Sequence, residues 1–188
     1  TSKGKTYSHG LKKFGAEQKY LISKLKTKKA LTHDDFFYKS YAYAKSDSSK
    51  ALLYINKAID LLPNRTFYNY YKSSIADTND ALKAINISIK NAHRNERVIV
   101  YIERKYDILR SRDTRKAINF AYEIKNIFSE KPPINPRTWG PITYKITRDA
   151  IKIGEKEFGC QFILLAYQKT GFDGYLERLR ANRCTNYF

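Results

Sequence analysis

Apolar residues recur along much of the chain at the spacing of an amphipathic helix. The clearest stretch is 51–64, where Ala51, Ile55 and Ala58 fall on one helical face. Two small residues on that face predict two points at which a neighbouring helix comes close. Pro63 predicts the end of the helix, because proline cannot continue the backbone hydrogen bonds. We therefore predict a helix with one buried face.

The same arrangement occurs three times, as an apolar or aromatic helix, a polar break and a second helix with small residues on its buried face. Thr32 and Asp35 predict a capping box at the start of the first helix. The second helices begin their buried faces at Ala51, Ala81 and Ala117, which lie 30 and 36 residues apart. The polar breaks within the pairs are residues 46–49, 77–80 and 111–114.

The spacing of Ala51, Ile55, Ala58 and Pro63 resembles the second helix of a tetratricopeptide repeat, a family whose period is about 34 residues. The resemblance covers residues 32–130. The first helices carry Phe and Tyr where the family has a Trp-x2-Leu-Gly-x2-Tyr pattern, and proline closes the first repeat alone. It implies an all-α fold of antiparallel helix pairs stacked as a short solenoid, which binds neighbouring proteins. A non-repeating helical bundle and another α-solenoid are the alternatives.

From this resemblance we expect six antiparallel helices in three stacked pairs over residues 32–130. The small residues on the buried faces should then lie at close helix contacts. These residues are Ala51, Ala58, Ala81, Ser88 and Ala117.

Composition shifts divide the chain into four predicted segments. They are a basic arm and helix at 1–30, helical repeats at 31–131, a linker at 132–141 and a helical segment at 142–188. The linker is predicted from Pro132, Pro133 and Pro136, since closely spaced prolines oppose helix formation. In the last segment we predict a basic helix at 143–158, an apolar stretch at 160–169 and a short helix at 175–181, which form an atypical cap for the array.

The net charge of +18 predicts that the surface of this scaffold binds polyanions. The chain has 36 basic against 18 acidic residues, and its hydrophobic content of 42% indicates a folded protein. Residues 1–30 contain nine lysines and one acid, Glu17, so we predict that these lysines bind RNA phosphates. They are Lys3, Lys5, Lys12, Lys13, Lys19, Lys24, Lys26, Lys28 and Lys29.

A second, weaker basic patch is predicted around the turn of the third helix pair. Its arginines are Arg104, Arg110, Arg112 and Arg115. The chain also has 16 Tyr and 10 Phe, most of them at core spacing. We expect these rings to pack between helices, with stacking on unpaired bases as the alternative.

No motif for catalysis stands out. The sequence has no glycine-rich phosphate loop, no HExxH and no Cys/His cluster, so we predict no cofactor, no metal and no small-molecule substrate. Asp149, Glu155 and Glu157 lie near one another but alternate with basic residues, which indicates a salt-bridged helix surface. His33 and Asp34 resemble two metal ligands, but no further ligands follow at a recognisable spacing.

Cys160 and Cys184 are predicted to be reduced thiols, with a disulfide as the alternative, because neither lies in a CxxC motif and no apolar segment after Lys3 and Lys5 suggests export. No apolar run reaches the roughly 20 residues that span a bilayer. We therefore expect an intracellular protein of the cytosol or an organelle matrix.

Together these features predict a non-catalytic scaffold of a ribonucleoprotein assembly, for example an accessory, organellar ribosomal protein. Its partners would be RNA, ribosomal RNA in that example, and neighbouring proteins. Two alternatives remain open. One is an enzyme or toxin-like effector with its active part in residues 137–188. The other is a repeat adaptor that binds acidic proteins or peptides without nucleic acid.

Overall fold

The computed structural model describes residue 20 and residues 23–92, 95–130 and 136–184, and all regular structure in these ranges is helical. This confirms the predicted all-α class. Residues 23–27 form one helical turn. None of the helices in this described part is long and apolar enough to cross a membrane. The longer helices are α1 (His33–Tyr43), α2 (Ser48–Leu61), α3 (Thr66–Ile75), α4 (Thr78–Lys90), α5 (Asn95–Arg112), α6 (Thr114–Glu130), α7 (Pro136–Lys152), α8 (Lys156–Thr170) and α9 (Gly174–Ala181).

The helical periodicity of the sequence correctly identifies the buried faces. The six predicted helices between residues 32 and 130 are α1 to α6. The five small residues predicted at helix contacts are each at most 2% exposed. The capping box also forms, because the Thr32 hydroxyl accepts the Asp35 backbone N–H and the Asp35 carboxylate accepts the Thr32 N–H.

The chain divides into two compact units, Thr1–Ala84 and Ile85–Phe188. In the first unit, α1 and α2 pack as a hairpin and α3 packs against α2. The Ser40 hydroxyl donates a hydrogen bond of 2.7 Å to the carbonyl of Ala51, which ties the two helices together where both side chains are small and buried. The helices here pack with their chain neighbours, an arrangement compatible with a helical repeat.

Aromatic rings join α1 to α3 in the first unit. The ring of Phe37 lies 5.5 Å from that of Phe67, 5.4 Å from that of Tyr68 and 5.2 Å from that of Tyr71, measured between centroids. Tyr68 is 1% exposed and packs with Ile55 in the core of this unit. These rings therefore pack between helices, as the sequence predicts for most of the aromatic residues.

In the second unit, α5 to α9 share one hydrophobic core. The α5 helix packs against α6 and α7, and α8 packs against α6, α7 and α9. The predicted third helix pair, α5 and α6, thus belongs to the same compact unit as the C-terminal helices. The largest fully buried side chains of this core include Ile102, Tyr106, Ile118, Ile124, Ile142, Ile146, Phe162 and Tyr175.

The predicted linker at 132–141 is wrong in its second half. Residues 131–135 lie outside the described residues, but α7 begins at Pro136 and runs through Pro141. Proline suits the first helical position because its fixed φ is already helical and its missing N–H has no partner there. The chain breaks later, at Ile153 and Gly154, where Gly154 has a positive φ of 87°.

Gly159 was predicted to begin a new segment but lies buried inside α8. A side chain at this position would be only 3.2 Å from the Thr147 carbonyl oxygen. Glycine therefore lets α7 and α8 approach closely, a tertiary reason that local propensity does not contain.

The prediction of two reduced thiols is also wrong, because Cys160 and Cys184 form a disulfide with a Cα–Cα distance of 5.7 Å. The helix α9 ends at Ala181, Arg183 then has a positive φ of 53°, and the Cys184 N–H donates to the Leu179 carbonyl. This turn brings Cys184 to the buried face of α8. The cysteines consequently no longer support an intracellular location.

Candidate nucleic-acid interface

Lysines and aromatic residues alternate at helical spacing on both helices of the α1–α2 hairpin. Residues three, four or seven positions apart share one face of a helix. The set is therefore presented as one continuous surface, which we call the lysine–aromatic strip. Its members are Phe36, Lys39 and Tyr43 on α1, and Lys50, Tyr54 and Lys57 on α2.

Because the two sequences alternate in opposite order, each lysine meets a ring of the other helix. The Lys50 ammonium lies 5.5 Å from the centroid of the Tyr43 ring. The Lys39 ammonium lies 5.4 Å from the centroid of the Tyr54 ring. The Lys57 ammonium lies 5.7 Å from the centroid of the Phe36 ring. All three distances are within the roughly 6 Å at which a cation is attracted by the ring quadrupole.

The three rings of the strip also stack on one another. Tyr43 and Tyr54 have centroids 5.6 Å apart and planes inclined by 22°, and Tyr54 and Phe36 follow at 6.4 Å and 23°. All three side chains are half-buried, so each packs on the hairpin and keeps part of its surface in contact with water. Lys50 and Lys57 are exposed.

Lys26, one of the lysines predicted to bind RNA, extends the strip at its Tyr43 end. Its ammonium lies 4.9 Å from the Tyr43 ring and donates a hydrogen bond of 2.9 Å to the Ser46 hydroxyl. Its backbone carbonyl accepts a hydrogen bond of 3.2 Å from the Lys39 ammonium. The helical turn of residues 23–27 is therefore joined to the strip by side chains and backbone.

Among the acids that contact the strip, Asp47 is 3.2 Å from Lys50. The Lys50 backbone N–H and then its ammonium donate to this carboxylate, which lowers the pKa of Asp47. The hydrogen bond between the Lys50 ammonium and the Asp47 carboxylate also raises the pKa of Lys50. Both groups are therefore charged at neutral pH, and Lys26, Lys39 and Lys57 leave the strip with a net positive charge.

The other predicted lysines fall in three different situations. Lys3, Lys5, Lys12, Lys13 and Lys19 lie outside the described residues. Lys24 is exposed beside the Tyr20 ring, at 4.8 Å from its centroid, and Lys29 is exposed as well. Lys28 instead forms an ion pair of 2.7 Å with Asp35, so this lysine helps to hold the start of α1.

The four predicted arginines lie on α5 and α6 but have different surroundings. Arg110 contacts the buried carboxylate of Asp149, and Arg115 contacts Glu155. Both therefore have carboxylate partners within the second unit. Arg104 is half-buried, whereas Arg112 is exposed at the end of α5.

Asp149 was predicted to lie on a salt-bridged helix surface, but its side chain is only 2% exposed. The Tyr106 hydroxyl donates to it at 3.1 Å, and the Arg148 Nε lies 3.4 Å away. Burial of Tyr106 and the neighbouring Asp149 charge together raise the pKa of this tyrosine. Asp149 therefore joins α7 to Tyr106 and Arg110 of α5 within the core.

Of the other two acids, Glu157 is exposed, as predicted, whereas Glu155 is half-buried. Glu155 accepts from Arg115 and, at 2.9 Å, from the Tyr122 hydroxyl, and Glu157 accepts from Gln161 at 3.4 Å. His33 and Asp34 both contact the Tyr68 hydroxyl, at 2.8 and 2.6 Å. In the described ranges no group of three or more His, Cys, Asp or Glu side chains is suitably placed to hold a metal ion.

No known family model matches the chain, and no curated protein matches it either.

Most of the lysine–aromatic strip was not predicted from the sequence, because a count of lysines does not show which residues share a helical face. The signal was present in the order aromatic–Lys–aromatic on α1 and Lys–aromatic–Lys on α2. Only an antiparallel hairpin with a short turn makes these two orders complementary. The short break at 44–47 supplies that hairpin.

Proposed function

We propose that this protein is a non-catalytic helical scaffold that binds single-stranded RNA through the lysine–aromatic strip. The observation that supports it is the coincidence of three stacked, half-buried rings with four ammonium groups, three from the α1–α2 hairpin and one from Lys26 beside it. Proteins that bind single strands without sequence preference combine the same two components. Aromatic rings stack on the bases, and cations follow the phosphates.

The dimensions of the strip are suitable for a short length of strand. Phe36 and Tyr43 are seven residues apart, which corresponds to about 10 Å along a helix that rises 1.5 Å per residue. Stacked nucleotides repeat at about 3.4 Å, so the strip can contact roughly three of them. A base that stacks on a ring displaces the lysine there toward the adjoining phosphate.

The overall charge favours the same ligand. With 36 basic residues against 18 acidic ones, a polyanion is attracted from a distance and held with little sequence preference. The exposed Lys24 and Lys29 extend the basic surface N-terminal to the strip. In this proposal the helix pairs, which we regard as tetratricopeptide-like, contact neighbouring proteins of a ribonucleoprotein assembly.

The Cys160–Cys184 disulfide changes the location that we propose. Such bonds persist in oxidising compartments and are rare in reducing ones. An oxidising compartment therefore replaces the cytosol or organelle matrix in this proposal. The ribosomal assignment stays a sequence-based hypothesis.

The first experiment measures the affinity of the full chain for a fluorescent 20-nucleotide uridine RNA at several salt concentrations. One variant changes Lys26, Lys39 and Lys57 to Gln, and a control of equal charge changes the exposed Lys116, Lys156 and Lys169 to Gln. Each lost phosphate contact on a single strand reduces the log–log salt slope by about 0.7. We expect the strip variant to lose about 2 from this slope and the control variant to lose less than half as much.

The second experiment tests the rings. Tyr54→Leu should weaken binding by about 5- to 150-fold, since stacking of one base on an aromatic side chain is worth roughly 1–3 kcal/mol. Tyr54→Phe keeps the ring and should bind like the wild type. An equal loss of slope in both lysine variants, or unchanged binding of Tyr54→Leu, would refute the strip as the binding site. Equal affinity for single- and double-stranded RNA would refute base stacking.

A further inference from the structure

A concave site in the second unit has two arginines and one tyrosine around it. The cleft is lined by one face of α7 and by the side chains that α8 and α9 direct toward that face. Its cavity volume is about 150 Å³. The residues that line it are Tyr144, Thr147, Arg148, Ile151, Ile163, Arg178 and Asn182.

Both guanidinium groups lie over the same ring. The Arg148 Cζ is 5.6 Å and the Arg178 Cζ 5.2 Å from the centroid of Tyr144. Cation–π contacts hold the two planar groups beside the cleft, with their fixed fork of donors at its edge. Arg178 also donates to the Gly140 carbonyl at 3.4 Å, which restrains its side chain further.

Among the residues that the structure describes, the lining contains two cations and no carboxylate. Within the described part of the chain, Arg148 donates through Nε alone, to Asp149 at 3.4 Å, and Arg178 donates through one terminal nitrogen. Asp149 has a closer partner in Arg110. The remaining guanidinium donors of Arg148 and Arg178 are therefore available to an anion.

From this geometry we infer that the cleft binds the phosphoryl group of a phosphate ester. Paired guanidinium groups match a phosphate because they donate bidentate, charge-assisted hydrogen bonds to its oxygens. A cavity of about 150 Å³ accepts a group of about the size of benzene, and drug-sized ligands need roughly 300 Å³ or more. The phosphoryl group thus enters the cleft while the rest of the ester remains outside it.

Equilibrium dialysis of the full chain with radiolabelled inorganic phosphate, at constant chloride concentration, tests this inference. We expect one saturable site, which Arg178→Gln weakens at least tenfold. The matched control Lys169→Gln removes one exposed positive charge from α8 and should change the affinity less than twofold. Arg148→Lys, which keeps the charge but loses the planar fork, should also weaken binding severalfold. Thermal melting of each variant shows whether it is folded.

Two competitors then distinguish the sources of the phosphoryl group. Phenyl phosphate represents a small phosphorylated molecule, and a 5′-phosphorylated uridine dinucleotide, compared with its unphosphorylated form, represents the end of a strand. Displacement by either phosphorylated compound and not by the unphosphorylated one supports the cleft. Non-saturable phosphate binding, or equal weakening by Arg178→Gln and Lys169→Gln in folded proteins, would overturn it.

Discussion

The buried carboxylate of Asp149 provides a sharp test of how the second unit is held together. Asp149→Asn keeps the shape of the side chain and an oxygen that accepts from the Tyr106 hydroxyl, but it removes the negative charge. Arg110 and Arg148 then lose a charged partner whose own side chain is only 2% exposed. Hydrogen bonds to charged groups contribute about 1.5–3 kcal/mol, and breaking a buried ion pair costs about 3–5 kcal/mol.

The arginines are partly exposed, at 37% for Arg110 and 45% for Arg148, so water compensates some of this loss. We therefore expect Asp149→Asn to lower the free energy of unfolding by about 2–3 kcal/mol. For a unit of about 100 residues this corresponds to a decrease of roughly 10–15 °C in Tm. Thermal unfolding followed by circular dichroism measures it.

Asp107→Asn is the matched control on α5. Asp107 is 34% exposed and binds Lys145, which keeps a second partner in Glu103 at 2.8 Å. Partly exposed ion pairs of this kind contribute about 0–1 kcal/mol, so the control should melt within a few degrees of the wild type. If both variants lose the same small amount of stability, the buried charge does not hold α5 and α7 together and our reasoning fails.

Three further predictions concern the helix contacts, the disulfide and the first cap. Ala58→Leu should lower the free energy of unfolding by about 1–3 kcal/mol, because Ala58 is 0% exposed and a larger side chain has no room there. The control Ala181→Leu, at an exposed helix end, should not change it. Equal melting temperatures of the two variants would contradict a close helix contact at Ala58. Removal of the disulfide by Cys184→Ala should cost about 3.5 kcal/mol for a separation of 24 residues, and a reducing agent should then destabilise the wild type but not the variant in denaturant titrations. Lys28 and then Thr32 donate hydrogen bonds to Asp35 and lower the pKa of its carboxyl group. The contribution of this carboxylate to stability is therefore present above its unfolded pKa of about 3.9 and is lost as pH falls through the folded pKa. The difference in free energy of unfolding between the wild type and Asp35→Asn should be constant from pH 7 to about 5 and shrink below about pH 4.

Helical periodicity was sufficient to predict the α1–α2 hairpin of the first unit and the helix α3 that packs against α2. A buried face leaves a regular pattern in the sequence, and small residues such as Ala51 and Ala58 mark where another helix comes close. The capping box was predictable for a similar reason, since both partners lie within four residues of each other. Local physical rules therefore account for much of the fold.

The errors occurred where a distant part of the chain decides the outcome. Gly159 was expected to begin a new segment, but it permits the contact with Thr147 on α7. The two cysteines are brought together by a turn at Arg183, which the thiol prediction did not consider. Asp149 has basic neighbours in sequence, and nothing local indicates that its decisive partners, Arg110 and Tyr106, come from α5.

The same distinction applies to the candidate binding site. A count of charges treats Lys26 and Lys28 as equivalent, although Lys28 is paired with Asp35 and Lys26 lies over an aromatic ring. An ion pair neutralises a lysine, whereas a contact with a ring keeps its full positive charge and only restrains its position. The lysines most useful to a phosphate backbone are therefore those beside rings, and the net charge alone does not identify them. This is why the strip on α1 and α2, with fewer lysines than residues 1–30, is the better-defined candidate.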